Sequence, residues 1–319
     1  MTDRGSSGWR SPSDYSVETF IQIGINALSL GAIYALLSLG FAVIYNTVRI
    51  FHVLHGAAFL IAGYSTWWLA QEQGLPIFFA ASIAVIFAGA SGIFMELAVY
   101  RRLRVRGAGF LVSFLGSLAA LFFFEGLLLT IARTTARLPR PGGPLPTFNL
   151  QIEALDIDLF IKWHAVNTIV LVAILVVAVT LFFRYTKWGR MIRAIASNPD
   201  LAVAVGINAS QVYLMVFVLG SMLAGIGGVM QTYEGGVIPN VGIRLAITAA
   251  GGVIIGGIGS MPGAVVGGLA LGLAQTIASY YFGGNWAIPA GFILLLLVIL
   301  FRPYGLLGTR EHRELRRLL

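Results

Sequence analysis

The sequence contains no cysteine and has little charge for its length. The absence of cysteine excludes disulfides, thiolate metal sites and cysteine nucleophiles. Only 11% of the 319 residues are charged, whereas 58% are hydrophobic, and the mean hydropathy is +0.86. This charged fraction is about half that of an ordinary soluble domain. The composition therefore indicates a membrane protein.

Groups that could power transport or catalyse a reaction are also scarce. Lysine occurs only at Lys162 and Lys187, and neither follows a glycine, which excludes a Walker A phosphate loop. Every aspartate lies outside the apolar runs, and no catalytic or metal-binding cluster can be assembled from them, so we expect no enzyme activity, no metal and no cofactor bound by this chain. Only Glu96 and Glu125 place a carboxylate inside a run. We expect Glu96 to pair with Arg101 or its neighbours, and Glu125 to make an interhelical hydrogen bond or to line a solute pathway.

Apolar runs of about the length that a bilayer requires recur along the chain. They predict an all-α polytopic membrane protein, a bundle of about nine transmembrane helices within a range of eight to ten. The run 19–46 is too long for one perpendicular span and 243–258 is too short, which predicts tilting, a break or re-entry at both. The runs are 19–46, 53–71, 76–100, 109–132, 165–184, 211–233, 243–258, 262–281 and 286–301.

The basic residues predict the orientation of a single transmembrane domain over residues 19–308. The net charge of +8 is distributed in short clusters between apolar runs, which is typical of orientation determinants and not of a nucleic-acid surface. These clusters favour an external N-terminus and a cytoplasmic C-terminus. Residues 1–18 are interpreted as a polar leader, 309–319 as a basic cytoplasmic tail, and 133–164, rich in proline and glycine at its start, as an irregular external loop.

Glycine is concentrated in the segment 251–272, "GGVIIGGIGSMPGAVVGGLALG". Helices in lipid associate through close packing, which small residues at four-residue spacing permit. The pattern predicts two tightly packed spans that turn at "GSMPG", although glycine can also open the backbone to a solute path. The predicted packing residues are Gly252, Gly256, Gly259, Gly263 and Gly267.

The longest internal polar segment is 185–210. Within it "GRMIRAIA" predicts a short basic amphipathic helix, Asn198 is a candidate N-cap for a second short helix, and that helix ends at Gly206. Such a helix pair suits docking against another protein. A membrane-surface helix held by anionic lipid explains the same residues equally well.

Six blocks, in order along nearly the whole chain, resemble those of a known family. They are "GAIYALLSLGFAVIYNTVRIFHVLHG", "MELAVYRRLR", "GRMIRAIASNPDLAVAVGIN", "FVLGSMLAGIGGVM", "GGIGSMPGAVVGGLALGL" and "FRPYGLLG". The chain thus resembles the permeases of bacterial branched-chain amino-acid ABC importers, and the LivH-type subunits most closely. The resemblance implies a multi-pass subunit of the bacterial plasma (inner) membrane that transports branched-chain amino acids or a related small polar organic solute.

The resemblance also implies partners. These are a second homologous permease, two cytoplasmic ATPases that bind ATP and Mg, and a periplasmic or extracellular solute-binding protein, in addition to membrane lipid. A passive channel or facilitator for a small neutral solute, such as urea or an amide, is the alternative function.

Segment 189–208 is, by this resemblance, the element that couples the permease to its ATPases, with Gly206 at the position of a glycine typical of importer loops. The residues assigned to ATPase coupling are Arg190, Arg193, Ala194, Asn198, Ala202 and Gly206.

The chain departs from the family pattern at two polar positions. His52 replaces an asparagine, and Thr248 replaces a lysine that many members have, so leucine transport does not follow from the resemblance. His52 and His55 are three residues apart, but no third ligand is near, so we expect interhelical hydrogen bonds or a pH-responsive pair and not a metal site. The candidates for the translocation path are Tyr45, Asn46, His52, His55, Glu125 and Thr248.

Overall fold

The computed structural model describes residues 17–132, 147–152 and 157–308. The predicted tail 309–319 and residues 1–16 of the predicted leader lie outside this range. The elements in chain order are α1 (Val17–Val48), α2 (His55–Trp67), α3 (Ile77–Met95), α4 (Arg101–Val105), α5 (Phe110–Ala132), β1 (Thr147–Ile152), β2 (Ile157–Lys162), α6 (Trp163–Tyr185), α7 (Lys187–Ser197), α8 (Pro199–Ala204), α9 (Ala209–Gly235), α10 (Gly242–Gly256), α11 (Met261–Phe282) and α12 (Ala287–Phe301).

Each predicted apolar run forms a helix. In the described part of the chain, seven helices are long and apolar enough to cross a membrane, and α2 and α10 are the shorter members of the bundle. Single π-helical turns, Trp68–Glu72 and Glu96–Tyr100, extend α2 and join α3 to α4. The prediction of an all-α polytopic bundle is confirmed.

A small β-hairpin corrects the prediction of an irregular loop over 133–164. Strands β1 and β2 are antiparallel, with Thr147 opposite Lys162 and Ile152 opposite Ile157. Apolar and polar residues alternate in "TFNLQI", and "IDLFIK" is rich in isoleucine and phenylalanine, which favours a strand pair. The prediction of an irregular loop was wrong for residues 147–152 and 157–162, because it was based on the prolines and glycines that precede residue 147.

Two helices form the centre of the bundle. In α1, 83% of an apolar stretch of 18 residues is buried within the chain. The corresponding share is 61% in α9 and 6% in α12. Helix α9 packs against α1, α2 and α3. Helix α12 presents large apolar side chains such as Phe292, Leu296 and Leu300 outward, which is typical of a surface that faces lipid or a partner subunit.

Glycine packing joins α10 to α11 in an antiparallel pair. An added Cβ at Gly256 would overlap the carbonyl of Gly263, and one at Gly267 would overlap the carbonyl of Gly252. Gly252 also faces the side chain of Ser38 on α1. Gly259 differs from the prediction, because it lies in the turn between the two helices with φ 93 and not on a packing face.

The same face of α11 packs on α1. An added Cβ at Gly268 would meet the backbone of Ala35, and one at Gly272 would meet the backbone of Gly31. Residue numbers rise along α1 as they fall along α11, so these two helices are also antiparallel. It follows that α1 and α10 run in the same direction.

The chain between α1 and α2 is not helical, and it returns along α1. Helix α1 continues to Val48, after which Arg49 has φ 58, a conformation uncommon outside glycine. The next helix starts at His55, whose ring hydrogen-bonds to the carbonyl of Leu37. Leu37 precedes the end of α1 by about 16 Å of helix. Residues 49–54 therefore re-enter the bundle as a non-helical segment.

Helix α10 also begins inside the bundle. Its first residue, Gly242, packs its carbonyl against Gly56 of α2, and the preceding segment 236–241 is not helical, with Val237 only 2% exposed. Helix α10 has 15 residues, a length of about 22 Å, which is less than a bilayer core of about 30 Å. Run 19–46 is one continuous helix, so no break falls within it, and the non-helical segment 49–54 lies after it. Run 243–258 is the short helix α10, as its length predicts, and the starts of α2 and α10 meet at Gly56 and Gly242.

Candidate functional site

A carboxylate from α5 caps the broken helix α10. Glu125 is 7% exposed and accepts a 2.7 Å hydrogen bond from the backbone N–H of Gly242. The first N–H groups of a helix have no partner within that helix, and the helix dipole favours negative charge beside them. Glu125 therefore makes an interhelical hydrogen bond, as the sequence predicts, and it holds the start of α10 in place.

The two predicted histidines are buried beside the re-entrant segment. Nδ1 of His52 is 2.6 Å from the Tyr100 hydroxyl oxygen, and Nε2 of His55 donates to the Leu37 carbonyl oxygen over 3.1 Å. His52 is 1% exposed and His55 is 0% exposed. The described residues contain no group of three side chains that could hold a metal ion. Both rings thus hydrogen-bond to neighbouring elements.

Asn46 and Tyr45 stabilise the end of α1. The Asn46 side-chain oxygen accepts a 3.2 Å hydrogen bond from the N–H of Gly259, which ties α1 to the turn between α10 and α11. The Tyr45 ring stacks on Phe41 within the core. Neither residue lines the open cavity between α1, α10, α11 and α12.

A cavity of about 470 Å³ opens between α1, α10, α11 and α12. Among the six predicted path residues only Thr248 lines it, and the Thr248 hydroxyl donates to the Arg244 carbonyl oxygen over 2.9 Å. Arg244 lines the cavity too, although it was not among the residues predicted from the sequence. The signal was available, because Arg244 is a single charge inside the predicted run 243–258.

A second candidate site is the docking segment, which consists of α7 and α8. It lies near the C-terminal end of α1. The inner face of α7 is part of the protein core: Ile192 is 1% exposed and Ile195 is 0% exposed, and both pack in a cluster with Val43 of α1 and Val216 of α9. A buried apolar face cannot insert into lipid. This arrangement argues against the reading of α7 as a membrane-surface helix.

Local contacts fix the docking segment to the bundle. The Thr186 hydroxyl oxygen accepts from the Gly189 N–H over 2.9 Å and caps α7, while an added Cβ at Gly189 would overlap the backbone of Phe183. The side-chain oxygen of Asn198 accepts from the Leu201 N–H over 3.0 Å and caps α8. Asn198 is the N-cap that the sequence predicts. Thr186 and Gly189 were not predicted, although a threonine before a helical pattern is an N-cap signal.

The outer face of the docking segment is apolar at its tip. On and after α8, Leu201 is 65% exposed, Val203 53% and Val205 77%. Gly206 follows with φ 91, which allows the chain to turn away after the tip. Of the other residues assigned to coupling, Arg190 and Arg193 are exposed, Ala194 is half-buried and Ala202 is 4% exposed.

Basic residues from two other regions of the chain, Arg49 and Arg104, lie near the docking segment. The Arg49 guanidinium donates to the Ala196 carbonyl oxygen over 3.4 Å, and the Arg104 guanidinium lies 4.6 Å from the centre of the Tyr213 ring. Arg104 also pairs with the buried carboxylate of Glu96. The partner of Glu96 is thus one of the neighbours of Arg101 that the sequence indicated.

Comparison with known proteins gives consistent matches over nearly the full chain. A family model described as "Branched-chain amino acid transport system / permease component" matches residues 23–301. The high-affinity branched-chain amino acid transport system permease protein LivH of Escherichia coli (strain K12) is 30% identical over 308 residues, which cover 92% of this chain and 96% of the relative.

Two further relatives match over similar lengths. The permease protein BraD of Pseudomonas aeruginosa, also of a high-affinity branched-chain amino acid transport system, is 30% identical over 304 residues, with 92% and 97% of the two chains covered. A probable branched-chain amino acid transport permease protein LivH of Methanocaldococcus jannaschii is 25% identical over 301 residues, with 92% and 94% covered.

Proposed function

Since the chain belongs to the family of branched-chain amino acid transport permease components, we propose that it is one of two permease subunits of an ATP-driven importer. The second permease is a homologous chain, and together the two form the translocation path. Two cytoplasmic ATPases bind ATP and Mg and supply the energy, and an external solute-binding protein delivers the solute. The solute is a branched-chain amino acid, which the relatives' names state, or a related small polar organic molecule.

The observation that carries this proposal is the docking segment. Its inner face is locked into the core through Ile192 and Ile195, and its tip presents Leu201, Val203 and Val205 to the outside. Apolar side chains this exposed beside basic residues suit a protein partner. A partner bound there would move a rigid element that packs directly on α1 and α9, the two central helices.

Nucleotide-driven motion can therefore reach the solute path through a short chain of contacts. Helix α1 leads from Val43, beside the docking segment, to Tyr34, beside the cavity. Packed helices transmit such a motion as a rigid-body displacement. In a transporter with interrupted helices, this displacement would change which side of the membrane reaches the cavity.

The position of the basic residues supports the orientation that we propose, with an external N-terminus and a cytoplasmic C-terminus. Arg49, Arg104 and the docking segment lie on one side of the bundle. The tendency of arginine to remain on the cytoplasmic side supports a cytoplasmic docking segment. Helix α1 then runs inward from an external N-terminus. Nine alternating spans leave the C-terminus in the cytoplasm.

Reconstitution tests the proposal. Liposomes that contain this chain, the second permease and both ATPases are expected to accumulate radiolabelled leucine only with external binding protein and internal ATP. Liposomes that contain this chain alone are expected to show no uptake of leucine or urea. Flux of either solute down its gradient through the isolated chain would contradict the proposal and indicate a passive facilitator.

A further inference from the structure

The cavity between α1, α10, α11 and α12 has an uneven distribution of charge. Of its lining residues only Arg244 is charged, and no carboxylate is among them. The remaining walls are mostly aliphatic and aromatic, including Ile247, Leu271 and Phe292. A volume of about 470 Å³ is within the range of about 300–1,000 Å³ for small-molecule sites.

Arg244 lies at membrane depth without a partner acid in the described chain. It follows Gly242, which packs against α2 inside the bundle, by two residues, and it shares the cavity with Tyr34, near the middle of α1. Within residues 17–132 and 157–308 the single ion pair is Glu96 with Arg104. A charge inside a membrane protein is costly unless it is paired or serves a pathway. The described residues therefore leave the positive charge of Arg244 without a negatively charged partner.

A second donor faces the same space. The Tyr34 hydroxyl donates to the side-chain oxygen of Gln275 over 3.0 Å, which leaves the Gln275 amide N–H groups as donors. The amide nitrogen points toward Gly291 of α12, where an added Cβ would lie 2.7 Å from it. Arg244 and Gln275 therefore offer hydrogen-bond donors from α10 and α11 to one cavity.

We propose that Arg244 and Gln275 form a binding site for the carboxylate of the transported solute, with the aliphatic wall of the cavity receiving its side chain. This inference rests on the proposed function and narrows the solute to a small carboxylic acid with an apolar body. The guanidinium can form two parallel hydrogen bonds with a carboxylate. A neutral amide offers no such partner, so this site would not retain urea.

Thr248 and Glu125 support this site without contacting the solute carboxylate. The Thr248 hydroxyl donates to the carbonyl of Arg244, and Glu125 caps the same helix two residues earlier, at Gly242. Both contacts fix the first turns of α10, which carry the guanidinium. Because α10 begins at Gly242, inside the bundle, its first turn places the charged side chain of Arg244 at the cavity.

The test is equilibrium binding of radiolabelled leucine to the assembled importer in nanodiscs, without the binding protein. Two competitors distinguish the carboxylate of leucine from its amino group. 4-Methylpentanoate keeps the carboxylate and lacks the amino group, whereas leucinamide has a neutral amide in place of the carboxylate. We expect 4-methylpentanoate to compete and leucinamide to fail. Arg244→Gln should weaken leucine binding about tenfold or more, because a hydrogen bond to a charged group is lost, and Arg244→Lys should weaken it less.

Arg302→Gln, at the far end of α12 and outside the cavity, is the matched control and should bind leucine normally. Basal ATP hydrolysis at the wild-type rate shows that each variant is assembled. Wild-type leucine binding by Arg244→Gln would overturn the inference. Loss of the second permease from the complex would overturn it too, since Arg244 would then be an interface residue.

Anionic lipid is the other source of a negative charge. Binding measured in discs of phosphatidylcholine and in discs that contain phosphatidylglycerol separates the two. If phosphatidylglycerol displaces leucine in the wild type but not in Arg244→Gln, the site holds a lipid headgroup and the inference fails. Failure of the proposed function would look different, because the wild-type importer would then show no ATP-driven uptake of any solute.

Discussion

The carboxylate of Glu125 and the backbone N–H of Gly242 are joined by a 2.7 Å hydrogen bond between residues 117 positions apart. The bond connects α5, at the edge of the bundle, to the broken helix α10. Because Glu125 is 7% exposed, the N–H of Gly242 has no water to replace this acceptor. The start of α10, and with it the position of Arg244, therefore depends on a residue from another helix.

Removal of this cap should destabilise the protein. Glu125→Ala is expected to lower the free energy of unfolding by about 1–3 kcal/mol, since a buried donor loses its partner, and Glu125→Gln by less, since the amide oxygen can still accept. The midpoint of thermal unfolding in detergent measures both. Glu72→Gln, an exposed glutamate at the end of the turn after α2, is the control. Equal midpoints for Glu125→Ala and the control would contradict the role of the cap.

The sequence could predict the helices because hydropathy reports the bilayer directly. The run 165–184 became Trp163–Tyr185, and 211–233 became Ala209–Gly235, with errors of about two residues at each end. It could not resolve the re-entrant segment 49–54. Ile50, Val53 and Leu54 are as apolar as a helix interior and are buried, so a non-helical segment inside the protein has the same hydropathy as a transmembrane helix.

The candidate site was less predictable, because a cavity depends on distant residues. The docking segment is local, so its caps and amphipathic pattern are visible in consecutive residues. The cavity combines Tyr34, Arg244 and Gln275 from three helices, and nothing near Tyr34 in sequence shows its hydrogen bond to Gln275. The contact follows from the packing of α1 against α11, which the glycine pattern did not assign to α1.

Because the backbones of α10 and α11 lie close together, replacement of glycine by alanine should destabilise this helix pair, although the same replacement usually stabilises a helix. Gly256→Ala is expected to lower the thermal unfolding midpoint, because the new methyl group would overlap the backbone of Gly263, at a cost of about 1–3 kcal/mol. Gly126→Ala on α5 is the matched control, since nothing lies within 4 Å of an added Cβ there. That change should be neutral or stabilise by up to about 1 kcal/mol. The opposite order of the two midpoints would contradict the packing.

The ion pair between Glu96 and Arg104 predicts the relative stabilities of a single and a double variant. Glu96 is 1% exposed, while Arg104 is 27% exposed, so Arg104→Met leaves a buried carboxylate without a partner and should cost about 3 kcal/mol. Adding Glu96→Gln to this variant removes the unpaired charge and should recover part of the loss. Arg102→Met, at an exposed position on the same helix, should change the unfolding midpoint little. A double variant less stable than Arg104→Met would contradict this account.

Charge at the tip of the docking segment should uncouple the subunit from its ATPases without unfolding it. Leu201 is 65% exposed, so Leu201→Glu costs little stability within the chain, whereas a carboxylate buried in an apolar protein contact is expensive. We expect ATP-dependent uptake by the reconstituted importer to fall about tenfold or more, with an unchanged thermal midpoint. Val105→Glu introduces the same charge at an 82% exposed position outside the docking segment and should leave uptake near the wild-type rate. Wild-type uptake by Leu201→Glu would show that the ATPases do not bind at this tip, because the side chain at position 201 is exposed there while that of Ala202 is buried.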